Sequence, residues 1–237
     1  LRTFEPYYRL NTEVITNDDS PALAIRRKKD STIVKGMNML KAGEADAFIS
    51  AGSTGALLSG GLLLLGRIKG IKRPALAAFF PKIGQDDTTL IVDCGSNVET
   101  KPEHILQNGI MGSIFVNCVK GIENPEVKLL NVGAEDGKGN DLHKEAFEML
   151  KESNVNFTGN VEGRDVCFGV CDVVATDGFS GNVFLKSSEG VAIAIMNRVK
   201  EKLTEGLQAK LGAALAYGKL KELKAEFNYD REGGAPI

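Results

Sequence analysis

The chain has 237 residues, 43% of them hydrophobic and 25% charged, with no Trp and a formal net charge of -2. That balance is ordinary for a globular protein with a buried core and argues against wholesale nucleic-acid binding, since a polyanion would have to be met by a local basic patch. No apolar run reaches the roughly 18 residues a membrane span requires. The four cysteines, Cys94, Cys118, Cys167 and Cys171, form no C-x-x-C spacing; most lie in or beside apolar runs, so buried free thiols in a reducing cytoplasm are expected.

In chain order, residues 1–20 carry little pattern beyond one short strand expected at 13–16. Ser20 followed by Pro21 predicts a helix start, an N-cap with Pro at the first helical position. Arg26, Arg27, Lys28 and Lys29 follow as a run of cations. Ile33, Met37 and Leu40 predict a helix over 32–41 that ends at Gly43.

From residue 46 one unit recurs: a short apolar strand, a loop of Gly, Ser, Asn and Asp, then a helix. The strands are expected at 46–50, 89–92, 127–130, 155–157 and 172–175. The loops that follow them span 51–56, 93–97, 131–136, 158–163 and 176–182. Helices are expected to run on through 65, over 102–120, over 141–151 and from about 183. A basic surface loop with Arg67, Lys69, Lys72 and Arg73, then a strand or extended segment over 75–81, separates the first unit from the second. Strands alternating with helices of this length imply a mostly parallel sheet covered on both faces. Right-handed crossovers place all five polar loops on one edge of it. Helix-start N–H groups, close approach at Gly, and Asp or Asn at strand ends suit an anion or small-molecule site. Asp and Gly serve a plain βα turn equally well, and for any single loop both readings stay open. Five such loops on one edge favour the site.

From 198 the character changes. Val199, Leu203, Leu207, Leu211 and Leu215 recur every fourth residue, and after Tyr217-Gly218 the pattern restarts with Leu220, Leu223 and Phe227. Two amphipathic helices joined by a tight turn are expected, with the apolar stretch 211–217 at the tip and cations on either side. Residues 229–236 read as a loop with no completing element. The expected organisation is an α/β core over 1–197, a helical hairpin over 198–228 and the start of a further segment over 229–237. The chain opens on Leu1 rather than Met and closes on that uncompleted loop, so sequence is expected to be missing at both ends.

Several chemistries lack their residues. Residues 133–139 resemble a phosphate-binding Walker loop but are one residue short, with no Ser or Thr after Lys138, and Gly137 and Gly139 lack the third Gly of a dinucleotide fingerprint. His104 and His143 are the only histidines, which excludes a three-His zinc site within one chain. No G-x-S-x-G elbow is present to place a nucleophilic serine. Neither a metal nor a cofactor is expected.

Four stretches occur in an order seen in one family: Ala51-Gly52-Ser53-Thr54-Gly55-Ala56-Leu57, the run from Arg67 to Ala75, Lys101-Pro102-Glu103-His104, and Asp177-Gly178-Phe179-Ser180-Gly181-Asn182-Val183. From about Thr12 to its end the chain resembles the bacterial phosphate acyltransferases of phospholipid synthesis. The resemblance implies a three-layer α/β/α sandwich akin to isocitrate and isopropylmalate dehydrogenases and phosphotransacetylases. It implies transfer of a long acyl chain from acyl carrier protein to inorganic phosphate, giving acyl phosphate. It further implies a homodimer in the cytoplasm, delivering its product to a membrane enzyme. The family's Gly-rich first strand and loop are expected ahead of Leu1.

Such a reaction asks the protein to align phosphate with a thioester, exclude water and stabilise an oxyanion. Backbone N–H groups of Gly52, Ser53, Thr54, Gly55, Gly95, Ser96, Asn97, Gly178, Ser180 and Gly181 are the candidates for phosphate and oxyanion. Asn97, Asn131, Asn160 and Asn182 could donate without adding charge. Lys101 is the choice for neutralising phosphate. His104 either protonates the leaving thiolate or packs against its own helical turn, and Asp177 is either an orienting acceptor or a turn residue. Arg26, Arg27, Arg67, Lys69, Lys72 and Arg73 suit docking of an acidic carrier protein, or the phosphates of CoA. Leu211, Leu215 and Tyr217 suit peripheral contact with an anionic membrane. Two alternatives are a phosphotransacetylase-like enzyme using short acyl-CoA and a non-catalytic acyl-carrier sensor.

Overall fold

The structure is a computed structural model that describes residues 11–226 and 234–237. It divides into two units, Leu1–Pro74 and Ala75–Ile237. In the first, helices α1 (Pro21–Arg27), α2 (Thr32–Ala42) and α3 (Thr54–Gly60) bring Ile25, Ile33, Val34, Met37 and Ala56 into a small core. A π turn, Gly61–Leu65, continues α3, and its Leu62, Leu63 and Leu65 are exposed. The strands expected at 13–16 and 46–50 do not form. A strand needs a neighbour to complete its hydrogen-bond ladder, and the described backbone of this unit offers only an isolated bridge between Glu13 and Ser31. Within 46–50, Phe48 instead packs beside Gly36 and the small core, while Ile49 is left exposed.

The second unit is built on a six-stranded, mostly parallel sheet in the order β4 (Asn156–Glu162), β3 (Glu126–Asn131), β5 (Val173–Ala175), β2 (Thr88–Val92), β1 (Leu76–Pro81), β6 (Ala235–Pro236). The first four are parallel to one another, and β1 runs antiparallel to β2 and β6. The segment read as a terminal loop therefore carries a short edge strand at 235–236, because β1 leaves an open edge for it; residues 229–233 lie outside the described residues.

Period-two alternation explains how both faces are covered. Leu90, Val92, Val127, Leu129 and Val173 point to one face, where α4 (Pro102–Lys120) and α5 (Asp141–Lys151) bring Ile105, Val116, Phe147 and Leu150. Ile91, Val161 and Val174 point to the other, against Val166 of α6 (Gly163–Val166) and Phe184 of α7 (Gly178–Thr204). Each such aliphatic or aromatic side chain contributes about 1.5–3 kcal/mol when fully buried.

Two boundaries differ from the sequence reading in ways that reshape the site. Residues 158–162 are strand rather than loop: one extra residue bulges out between the pairs Val127–Phe157 and Leu129–Asn160, with Gly159 at φ 106°. The helix expected from about 183 starts at Gly178, so the Gly-rich turn is its first turn. That helix runs to Thr204, and the expected boundary at 198 falls inside it. It then breaks at Glu205, and α8 (Gly206–Leu215) and α9 (Tyr217–Glu226) follow. The stripe from Val199 to Leu215 is thus shared between two helices, and 211–215, expected at a turn, is helical. Leu207, Leu211, Leu215 and Tyr217 are exposed; Phe227 lies outside the described residues. No described helix is long and apolar enough to cross a membrane.

At the amino edge of the sheet, the buried Lys82 ammonium reaches Asp87 at 2.6 Å and Asp172 at 3.5 Å, and Lys120 reaches Asp87 at 2.6 Å. These pairs tie the starts of β2 and β5 together and leave the carboxyl edge to the candidate site.

Candidate functional site

The parallel strands β2, β3 and β5 each end in polar residues: Asp93, Asn131, and Thr176 with Asp177. Asp93 is fully buried and holds its own loop closed. Its carboxylate accepts from the backbone N–H groups of Leu76, Gly95, Ser96 and Asn97, from the Ser96 hydroxyl at 2.6 Å and from the Asn97 amide at 2.9 Å. The Asn97 carbonyl in turn accepts from Gly178 N–H at 3.1 Å, which seats the start of α7 on this loop.

Asp177 is the N-cap of α7. Its Oδ1 accepts from Phe179 and Ser180 N–H at 3.0 and 2.8 Å, and its carbonyl accepts from Gly181 N–H. The N–H groups of Gly95, Ser96, Asn97, Gly178, Ser180 and Gly181, expected to face an anion, are therefore bonded within the protein. A helix start sealed by its own cap and a neighbouring carbonyl is satisfied without a ligand.

Asn131 and Asn160 are committed in the same way. The Asn131 amide nitrogen donates to Lys138 O and to Asn160 Oδ1, and the Asn160 amide nitrogen donates to Glu135 O. Between them they pin the loop from β3 to α5. That loop ends at Asn140, whose Oδ1 caps α5 by accepting His143 N–H at 3.1 Å and lies 2.7 Å from His143 Nδ1. His143 Nε2 lies 3.5 Å from Asp177 Oδ2, an oxygen that is buried and has no hydrogen-bond partner. Beside this pair Leu130, Asn131, Val132, Gly139, Asn140, His143 and Ser180 line a pocket of about 360 Å³.

Burial works against the Asp177 carboxylate, but His143 and the Ser180 donors outweigh it and hold its pKa at about 2, below its ordinary 3.8. The group contributes stability that is complete above the unfolded value and is lost as pH falls from about 4 through 2, amounting to roughly 2–3 kcal/mol at ~1.4 kcal/mol per unit. Asp177→Asn keeps the cap and cannot titrate. Urea unfolding measured from pH 5 to 2 should show a shallower acid loss in that variant than in wild type.

Lys101 is exposed at the N-cap of α4. Its N–H donates to His104 Nδ1 at 3.3 Å, so one ring nitrogen of His104 is engaged in its own turn, and Nε2 lies 3.9 Å from Glu103. Asn182 is exposed one turn into α7, with its amide beside Gly95. Burial pushes the Cys94 and Cys171 thiols up to about 12, leaving them unionised and unreactive; Cys118 is exposed, unlike the buried thiols expected.

The family model described as a fatty acid synthesis protein matches residues 8–237. A phosphate acyltransferase of Thermoanaerobacterium thermosaccharolyticum is 50% identical over 226 residues, covering 95% of this chain and 67% of that protein. A phosphate acyltransferase of Clostridioides difficile is 48% identical, covering 95% of this chain and 66% of that protein. The chain belongs to the phosphate acyltransferase family. It spans about two thirds of the length of these relatives. Among solved structures, the EutD phosphotransacetylase from Staphylococcus aureus is similar in fold, with a TM-score of 0.52 and 18% identity over 67% of this chain and 55% of that one. A phosphotransacetylase from Streptococcus pyogenes also scores 0.52, at 16% identity over 67% of this chain and 54% of that one.

In this phosphate acyltransferase family member the expected site residues fall into two groups. Asn97, Lys101, His104, Asn131, Asn160, Asp177 and Asn182 belong to the second unit, on its carboxyl-edge loops and the elements beside them. Gly52, Ser53, Thr54 and Gly55 belong to the first unit, where Gly52 N–H donates to Ser50 Oγ and Ser53 caps α3 through Ala56 N–H. The basic residues Arg26, Arg27, Arg67, Lys69, Lys72 and Arg73 are exposed there too, with the Arg67 guanidinium bonded to the Lys72 carbonyl. Two residues of the candidate site escaped the sequence reading. Asp93 was read only as the start of a loop. His143 carried a usable signal, because Asn140 three residues ahead marks a helix cap and so places the imidazole in a first turn.

Proposed function

We propose that the full-length enzyme containing this chain transfers a long acyl group from acyl carrier protein to inorganic phosphate, releasing acyl phosphate for phospholipid synthesis. The observation that carries this reading is identity of about half to phosphate acyltransferases across nearly the whole chain. In the proposed step a phosphate oxygen attacks the thioester carbonyl, the C–S bond breaks, and the thiolate takes up a proton. The carboxyl-edge N–H groups are already bonded internally, so contact with the reacting groups falls to side chains. Lys101 is assigned to phosphate charge, Asn182 to the oxyanion and His104 Nε2 to the thiolate, and the sealed loops hold them still. Residues 52–55 keep a proposed phosphate-binding role in the first unit.

The same reading takes the fold as a three-layer α/β/α sandwich with α8 and α9 as a helical hairpin, working as a homodimer. The exposed cations of the first unit are assigned to docking acyl carrier protein. Trapping acyl phosphate as its hydroxamate tests the chemistry directly. The full-length protein should give phosphate-dependent hydroxamate from long-chain acyl carrier protein and little from short acyl-CoA. Product from short acyl-CoA alone would favour the phosphotransacetylase-like alternative, and none from either donor would sink the enzyme reading.

Peripheral association with anionic membrane is assigned to Leu211, Leu215 and Tyr217, of which Leu215 is 92% exposed. Each buried methylene adds about 0.8 kcal/mol and each surface cation about 1 kcal/mol. Leu215→Glu should lose co-sedimentation with anionic vesicles while keeping acyltransferase activity. Undiminished sedimentation, or dissociation into monomers, would move these residues to a protein interface.

A further inference from the structure

We propose that His143 is a positioning residue of the acyl-transfer site and acts through Asp177; the inference rests on the acyl-phosphate reading above. Asn140 Oδ1 accepts the His143 backbone N–H, which identifies that atom as the amide oxygen rather than the nitrogen. His143 Nδ1, 2.7 Å from the same atom, must then be the ring nitrogen that donates to it. The ring is thereby fixed with Nε2 toward Asp177 Oδ2, 3.5 Å away. With Nδ1 donating, Nε2 carries a hydrogen as well only in the imidazolium. It is that form of the ring that meets the need of this buried oxygen, which has no other partner, across a gap that a small ring shift closes.

What depends on Asp177 gives the contact its consequence. Its other oxygen holds Phe179 and Ser180 N–H and so sets the start of α7. That start is seated on the 93–97 loop through Gly178 N–H and Asn97 O. Asn182 follows on the same helix, its amide nitrogen 2.7 Å from where a Cβ on Gly95 would lie. His143 therefore ties the β3–α5 loop to the helix that carries the proposed oxyanion donor. A shift of that helix would misplace a group needed in the transition state more than in the ground state.

Two substitutions in the full-length enzyme separate this role from general packing. Gln carries an amide nitrogen to about the reach of Nε2 and keeps a donor for Asp177. Asn reaches only as far as Nδ1 and does not. His143→Asn should lower kcat on the order of ten-fold, with KM for phosphate held within about two-fold. His143→Gln should recover most of the loss. His143→Asn combined with Asp177→Asn should be no slower than the slower single variant, because both break one linkage. Without any substrate, Asp177→Asn should displace the His143 ring-nitrogen NMR signals. Wild-type kcat in His143→Asn, no recovery in His143→Gln, or additive losses would each overturn the proposal. If the wild type forms no acyl phosphate, the parent reading falls, and ring signals unmoved by Asp177→Asn would overturn the coupling as well.

Discussion

Asp93→Ala is expected to unfold the second unit under conditions where the wild type is stable. The carboxylate is fully buried and satisfies four backbone N–H groups, one hydroxyl and one amide. Leu76 N–H has a second acceptor in Ser96 Oγ at 3.1 Å, which softens the loss there. A methyl group offers no acceptor in its place, and the Gly95, Ser96 and Asn97 N–H groups lose their bonds to the carboxylate. An orphaned buried donor costs about 1–3 kcal/mol, and several together rival the 5–15 kcal/mol that holds a typical domain. Asp93→Asn, which keeps one acceptor oxygen, should lie between the two. Thermal unfolding followed by circular dichroism checks this. A midpoint for Asp93→Ala within a few degrees of wild type would mean that water or loop rearrangement replaces the carboxylate.

Gly181→Ala should also destabilise, and here the sign itself is diagnostic. In an isolated helix the change stabilises by about 1 kcal/mol. In this helix a Cβ would lie 2.0 Å from the Asp93 carbonyl oxygen and 2.7 Å from Thr176 Cγ2. The first is backbone of a loop closed by its own carboxylate, so it has little room to retreat. Overpacking of this kind typically costs about 1–3 kcal/mol and more where the neighbour is rigid, which reverses the helix-propensity gain. Differential scanning calorimetry of the variant should show a lowered midpoint. A raised one would mean that α7 can lift off the 93–97 loop.

The alternation of strands with helices in the second unit was readable because its causes are local. Short apolar runs in 89–92 and 127–130, Pro102 at a helix start and Asn140 as a cap act over a few residues. The chain order of those elements, with right-handed crossovers, already implied that Asp93, Asn131 and Asp177 would share an edge. Elements whose existence depends on a distant partner were not readable. Residues 46–50 have strand composition but no described ladder partner in their own unit. Residues 235–236 have no strand pattern and pair with β1 because its edge is open. The bulge at Gly159 turns an expected loop into a strand, and it depends on register against β3.

The site shows the same division more sharply. Residue types alone indicated that polar loops gather where an anionic or acyl substrate could be met, and the motifs indicated the family. They could not indicate which donors remain available. Whether Gly178 N–H faces a ligand depends on where the Asn97 carbonyl lies, and whether Gly95 and Ser96 N–H do depends on the side chain of Asp93. The second is a local turn over 93–96; the first is a long-range closure, made when α7 docks on the β2 loop. The pairing of His143 with Asp177 arises in the same way, from two helix starts meeting across neighbouring strands. Local chemistry fixes which groups a segment brings to the edge; packing between segments fixes which of them are already spent on the protein itself.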